Sequence, residues 1–382
     1  MQNWRQAIRT PTAYRVGNSA IRMQTSFVYG VAICGSALLM LLYLLLPHSR
    51  HGVHLTNEID GHALHRTYNA TYPLSPVRKV GPELVYRVAA ITDLDEKNKA
   101  DHNQWLSYIK YGTLTFDPRT KGVNLVWESN LTTLQSSYSF GGRGMELSEL
   151  VVFDGRLLTV DDRTGIVFEI IDGKRVVPWV LLADGDGKQI KGFKSEWMAV
   201  LNNELYVGGL GKEWTNAHGE VLNNNPQWIK IISPAGGIHH MDWHHHYDAL
   251  RSAAGIQSPG YMIHEAVAWS EVHKQWFFLP RRASKQRYDE VSDERRGTNL
   301  VIKCSENFKE IDVMEVGNLE PTRGFSSFKF VPGSNDEVIV ALKSEEVSGK
   351  ISSYATVFHV NGFTIIPEAK IGDFKFEGIE FV

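Results

Sequence analysis

Arg143 to Gly165, RGMELSELVVFDGRLLTVDDRTG, decides the fold. Ser148 to Phe153 alternates and is rich in Leu and Val, Asp154-Gly155 is a turn signal, and Arg156 to Val160 is a return strand, so the stretch predicts a β-hairpin. Polar and charged residues stand at the start of the first strand (Ser148, Glu149) and at the end of the second (Asp161, Asp162, Arg163). In an antiparallel pair these two places lie side by side.

The unit recurs four times. SEWMAV from Ser195 returns as LYVGG and ends in Lys212, Glu213 and Trp214, and HEAVAW from His264 returns as QWFFLP and ends in Arg281 and Arg282. SSFKFV from Ser326 returns as EVIVAL and ends in Lys343. EGIEFV from Glu377 is a first strand without a return, and ELVYRVAAITDLD, ending in Asp93 and Asp95, is a return without a first strand. The two halves complete one another. The repeat of about 50–70 residues suits four-stranded blades with variable loops. Further strands are expected over 112–116, 123–128, 165–171, 228–232, 299–303 and 354–360. The expected fold is an all-β, five-bladed β-propeller over residues 83–382, closed by the C-terminal strand, which leaves no open sheet edge at the closure.

The 382 residues, 43% hydrophobic and 22% charged, are ample for a core, and a formal charge of −3 argues against nucleic acid as a partner. Residues 1–26 carry Arg5, Arg9, Arg15 and Arg22 and no acid, and Phe27 to Leu46 is an apolar or small run. About 20 such residues span a bilayer as a helix. The charge bias makes 1–26 a cytoplasmic tail and 27–46 a transmembrane signal anchor. A cleavable signal peptide is the alternative. Residues 47–82 are expected to be a stalk. The sequons at Asn69 and Asn130 both fall on the outer side of this arrangement. Cys304 is the only cysteine outside the apolar run, so no disulfide is expected in the globular part, and NLVIKC reads as a strand with a buried thiol.

First strands of a propeller are innermost, so Ser148-Glu149, Ser195-Glu196, His264-Glu265, Ser326-Ser327 and Glu377 should ring the axis. Carboxylates converging there repel unless a cation balances them. A ring with almost no nitrogen or sulfur suits calcium, which takes roughly 6–8 oxygens, better than zinc. The second-strand ends form an outer ring with Asp93, Asp95, Asp161, Asp162, Arg163, Lys212, Glu213, Arg281, Arg282 and Lys343, and Arg143 and Glu146 lie just before the first hairpin. Cations and carboxylates around a divalent ion suit phosphoryl transfer, the cations neutralising phosphate oxygens and a carboxylate orienting water. HHMDWHHHYD (239–248) lacks a rigid ligand spacing and reads as a solvated loop, and ADGDG (183–187) reads as a turn. Trp214 either stacks a base or packs between sheets.

The motifs ITDLD, GRGMELSEL, VDDRTG, GFKSEW, YVGGLGKEW, WFFLPRRAS, DERRG, GFSSFKF, ALKSEE and EGIEF resemble those of the calcium-activated nucleotidases, the apyrases of vertebrate secretory membranes and blood-feeding insect saliva. The resemblance runs from residue 68 to the C-terminus. It implies calcium on the axis of a five-bladed propeller that hydrolyses nucleoside diphosphates, and often triphosphates, to monophosphate and phosphate. It implies calcium ligands at Ser148, Glu149, Glu196, Glu265, Ser326 and Glu377, several through backbone carbonyls. It implies catalytic roles for Asp93, Asp95, Glu146, Asp161, Asp162 and Arg281, and substrate contacts from Arg143, Arg163, Glu213 and Trp214. Glu149 departs from the pattern, since members often carry Asp there. The implied setting is the Golgi or endoplasmic reticulum membrane, single-pass type II with the propeller lumenal; release of a soluble form and a homodimer are left open. A calcium-stabilised propeller that only binds a protein or glycan is the alternative. Nothing in the sequence spells a base preference.

Overall fold

The computed structural model describes residues 67–382 and the strands Thr12–Val16 and Ser19–Met23, which pair as a hairpin. The apolar run 27–46 lies outside the described residues. Among those described, no helix is long and apolar enough to cross a membrane.

Five four-stranded antiparallel blades follow in order. Blade I is Leu147–Phe153, Arg156–Asp161, Ile166–Ile171 and Arg175–Leu181. Blade II is Trp197–Leu201, Glu204–Gly208, Trp228–Ile232 and Ile238–Asp242. Blade III is Tyr261–Ser270, Gln275–Ser284, Leu300–Ser305 and Ile311–Glu315. Blade IV is Arg323–Phe330, Val338–Val347, Lys350–His359 and Thr364–Gly372. In blade V the C-terminal strand Lys375–Phe381 pairs with Glu83–Asp93, followed by Gln104–Asp117 and Gly122–Ser136, as the two unmatched half-hairpins required.

Each innermost strand is flanked by blades on both faces. Every residue of Leu147–Phe153 is buried, with Leu150 and Val152 packing toward blade V and Val151 and Phe153 toward blade II. Period-two alternation thus feeds two seams from one strand. The apolar core accordingly divides into one large cluster per seam, with a small sixth cluster of Leu210, Tyr261 and Ile263. The richest lies between blades II and III, around Trp197, Trp276, Phe278 and the buried Cys304.

Two expectations change. HHMDWHHHYD is not a loop: its first residues end blade II, and His244–Ala253 is an α-helix. Trp243, Tyr247 and Leu250 are buried at helical spacing, a pattern masked by the histidines between them. Residues 67–82, expected in the stalk, belong to the compact unit that begins at Thr67. Tyr68 packs on Phe153, the Asn69 N–H donates to Asp154 (2.9 Å), and Tyr72 donates to Glu380 (2.9 Å). Asp184 to Gly187 is a turn, as expected.

Candidate active site

Register breaks build the centre. In blade I the ladder skips from Leu147 to Glu149, leaving Ser148 unpaired. The corresponding skips fall on Glu265 in blade III, Ser326 in blade IV and Glu377 in blade V. Glu196 lies one residue before its strand and donates its N–H to Gly208. A bulged residue leaves the ladder and its side chain is re-aimed. Four of the five inner strands are therefore bulged where a ligand is expected.

Glu196, Glu265 and Glu377 are buried, and each is paired with a cation. Lys194 bonds both Asp162 and Glu196, the latter at 2.7 Å. Arg281 joins Glu265, Glu346 and Glu377, the last at 2.9 Å. Lys375 joins Asp93 (2.5 Å), Asp95 (3.2 Å), Glu377 (3.5 Å) and Glu346 (3.8 Å). Seven carboxylates thus meet three cations. Burial, with Glu265 and Asp162 nearby, pushes Glu196 up to about 8, and burial raises Glu377 well above the carboxylate range. Burial pulls Lys375 down, but Asp93, Glu377 and Glu346 outweigh it and hold its ammonium well above the usual value.

Beside this group stand Arg143, Glu146 and Arg163. Arg143 grips both oxygens of Glu146 at 2.7 and 2.6 Å, and Arg163 Nε lies 3.8 Å from the same carboxylate. Carboxylate oxygens of Asp93, Asp95 and Glu146 lie within 4.8 Å of one another. Burial raises Glu146 to about 7. Asp162 Oδ1 is buried without a hydrogen-bond partner.

Four expected site residues are placed differently. Arg281 is on the axis rather than in an outer ring, because the ladder breaks at Arg281 opposite the break at Glu265. The Glu149 carboxylate accepts from Ser327 (2.8 Å) and faces Lys329 (3.3 Å), with Glu380 nearby. Burial raises it to about 8. Asp161 accepts the N–H groups of Met145, Arg163 and Thr164 (2.8–3.3 Å), so its carboxylate organises the turn that carries Asp162 and Arg163. Glu213 pairs with Arg251 (3.6 Å) and lines a separate cavity with Lys212 and Tyr288. Ser326 donates its hydroxyl to the Phe376 carbonyl (2.8 Å), whereas the Ser148 hydroxyl is buried without a partner.

The donors fit a hard cation. They are carboxylates, an orphaned buried hydroxyl and strand residues out of register, all oxygen, with an excess of negative charge. Glu196, Glu265 and Glu377 would hold calcium by side chains, and Ser148, Glu149 and Ser326 by other oxygens.

Residues 92–382 match the apyrase family. The chain belongs to the apyrase family. Its members are nucleotide-hydrolysing enzymes. Soluble calcium-activated nucleotidase 1 of Rattus norvegicus is 49% identical over 368 residues, 94% of this chain and 88% of that protein. The apyrase of Cimex lectularius is 42% identical over 376 residues, 97% of this chain and 100% of that protein. Apyrase apy-1 of Caenorhabditis elegans is 46% identical over 300 residues, 78% of this chain and 84% of that protein. Against this family background, sequence reasoning passed over Lys194, Glu346 and Lys375. Lys194 and Glu346 lie inside GFKSEW and ALKSEE, and Lys375 stands two residues before Glu377 at the start of the last inner strand.

Proposed function

We propose that the protein hydrolyses nucleoside diphosphates, UDP and GDP foremost with ADP and triphosphates as further substrates, to monophosphate and phosphate in a calcium-dependent reaction. The observation that carries this is Asp162: one oxygen bonds Lys194, while the other is buried with no partner. A buried acceptor left open costs free energy unless something donates to it, and an attacking water is such a donor. Arg143, Arg163 and Lys194 supply the positive charge that phosphate oxygens require. Glu146, held by Arg143 beside Asp93 and Asp95, is positioned to take the proton that water loses. Bound calcium would neutralise charge on the phosphates. The names of the rat and mouse relatives, which call them calcium-activated, support that choice of ion.

The proposal extends to the setting. The arginines before residue 27 and the apolar run 27–46 support an uncleaved type II anchor, with the propeller in the lumen of the Golgi or endoplasmic reticulum. Phosphate release from UDP, GDP and ADP by the full-length chain, in calcium, magnesium or chelator, tests the activity. Release in calcium and loss in chelator is expected, and equal release in magnesium alone would defeat the calcium assignment.

A further inference from the structure

We propose that His244, His245 and Asp248, at the start of the helix that follows the outermost strand of blade II, form a zinc site. It stands apart from the axial carboxylates and does not depend on the hydrolase reading.

As a loop, HHMDWHHHYD would offer ligands at no fixed spacing. As the helix His244–Ala253 it fixes one. Residues four apart lie one above the other on a helix face, so His244 and Asp248 meet. His244 Nε2 lies 3.3 Å from Asp248 Oδ2. Zinc binds imidazole nitrogen at about 2.0–2.1 Å and carboxylate oxygen at about 2.0–2.2 Å, and two such bonds at a tetrahedral angle hold their ligand atoms ~3.3–3.5 Å apart. The pair is therefore spaced as one edge of a zinc tetrahedron. His245 supplies the third ligand. Its ring centre lies 4.7 Å from that of His244, and one donor atom from each of the three residues falls within 4.8 Å of the others. His245 is exposed, so its ring is free to turn and close the remaining distance.

Two nitrogens and one oxygen suit zinc, whereas calcium takes oxygens alone. Three protein ligands leave a fourth position for water. The His244 and Asp248 side chains are 37% and 36% exposed, so an ion reaches them from solvent. Among the described residues, the other group of three metal-ligating side chains at this spacing is Asp93, Asp95 and Glu146, which belongs to the active centre.

The surroundings hold the ligands in place. Asp248 divides its oxygens: Oδ2 faces His244, while Oδ1 accepts from Arg251 (2.5 Å). Outer partners of this kind orient metal ligands. Arg251 is itself anchored on the Gly260 carbonyl (3.2 Å). The positive end of the helix dipole opposes a cation here. Asp248 offsets it, as does Asp242, which accepts the His244 N–H (2.9 Å). On the opposite face Tyr247 and Leu250 are buried in the seam between blades II and III, so the backbone beneath the ligands is packed. The neighbouring histidines are placed otherwise: His246 stacks on Phe308 (4.2 Å), and His239 and His240 lie on the preceding strand.

The test is zinc uptake by the full-length protein, stripped with chelator and returned to saturating calcium. Calorimetric titration reads it for wild type, His244→Asn, Asp248→Asn and, as a control, His239→Ala. Each ligand variant should bind zinc about tenfold or more weakly, since loss of even an outer partner costs about 10–100-fold. His239→Ala should match wild type. Zinc should raise the melting temperature of wild type more than that of His244→Asn, because the ion binds only the folded helix. Cobalt in place of zinc should give the intense visible absorption of a four-coordinate ion, lost in His244→Asn. Asp248→Asn also breaks the contact with Arg251, so His244→Asn, checked for folding by circular dichroism, decides the outcome. Zinc uptake by His244→Asn equal to that of wild type would overturn the site. So would an equal loss in His239→Ala, which would mean loose binding by a histidine-rich surface, or the weak absorption of six-coordinate cobalt.

Discussion

Arg281 and Glu265 face each other at a double register break in blade III, and their side chains form an ion pair that is 7% exposed on each side. Both residues leave the ladder, so the pair projects to the axis, where Arg281 also holds Glu346 and Glu377. The guanidinium is thus an internal counter-ion to expected calcium ligands as well as a candidate phosphate contact. Arg281→Lys keeps the charge but not the planar fork that spans several carboxylates. Calcium affinity and turnover should both change in this variant. Arg281→Ala should lower stability by about 3–5 kcal/mol in chelator, the scale for breaking a buried pair. Denaturant unfolding with and without calcium measures it, and an unaltered curve would show that the carboxylates do not depend on Arg281.

Lys194 couples Asp162 to Glu196, yet the two carboxylates should separate in function. Glu196→Gln should diminish the calcium-dependent rise in melting temperature, with activity falling alongside it. Asp162→Asn should leave most of that rise and cut kcat by ~10²-fold or more, the scale of a lost base or water-orienting group. Melting curves and UDP hydrolysis on both variants check this, and the reverse pattern would exchange the two roles.

Calcium should act as a stabiliser. An ion bound only by the folded chain adds about 2.7 kcal/mol at a concentration 100 times its Kd. Chelator should lower the melting temperature, and added calcium should restore both melting and activity. A melting temperature indifferent to calcium would remove the ion from the axis.

Cys304 is fully buried in the seam between blades II and III, and burial pushes its thiol up to about 12. Below that pH the thiol stays protonated in the folded protein, so it should resist alkylation at pH 8. Labelling should appear only in denaturant, read as the modified Cys304 peptide by mass spectrometry. Fast native labelling would mean that this seam opens readily.

Asn69 and Asn130 are both exposed. If the propeller is lumenal, both should carry glycans in cells, and Asn69→Gln and Asn130→Gln should each remove one glycosidase-sensitive mobility step. An unmodified chain, or one that begins near His48, would defeat the type II anchor.

The propeller was legible because its inner strands carry dense alternating apolar residues bounded by turns, as in Ser148–Val160, and because one unmatched strand stood at each end of the repeat. The fourth strands of blades I to IV were not. Arg175–Leu181, Ile238–Asp242 and Ile311–Glu315 are edge strands with little buried surface, so their residues carry weak alternation. The helix at His244–Ala253 escaped notice for a related reason, since its three-residue apolar stripe is diluted by histidines.

At the site, sequence by itself determined which blade corners hold acids and bases and that they share one end of the axis, because strand pairing fixes which ends are neighbours. Only the tertiary structure decided where each side chain points. A bulge adds one residue without any mark in the composition, yet it turns Ser148, Glu265, Ser326 and Glu377 out of register and brings Arg281 inward. Likewise, Glu149 bonds Ser327 across 178 residues, and Lys375 reaches Asp95 across 280. Partners so distant in the chain are chosen by the closure of the ring, which no local pattern records.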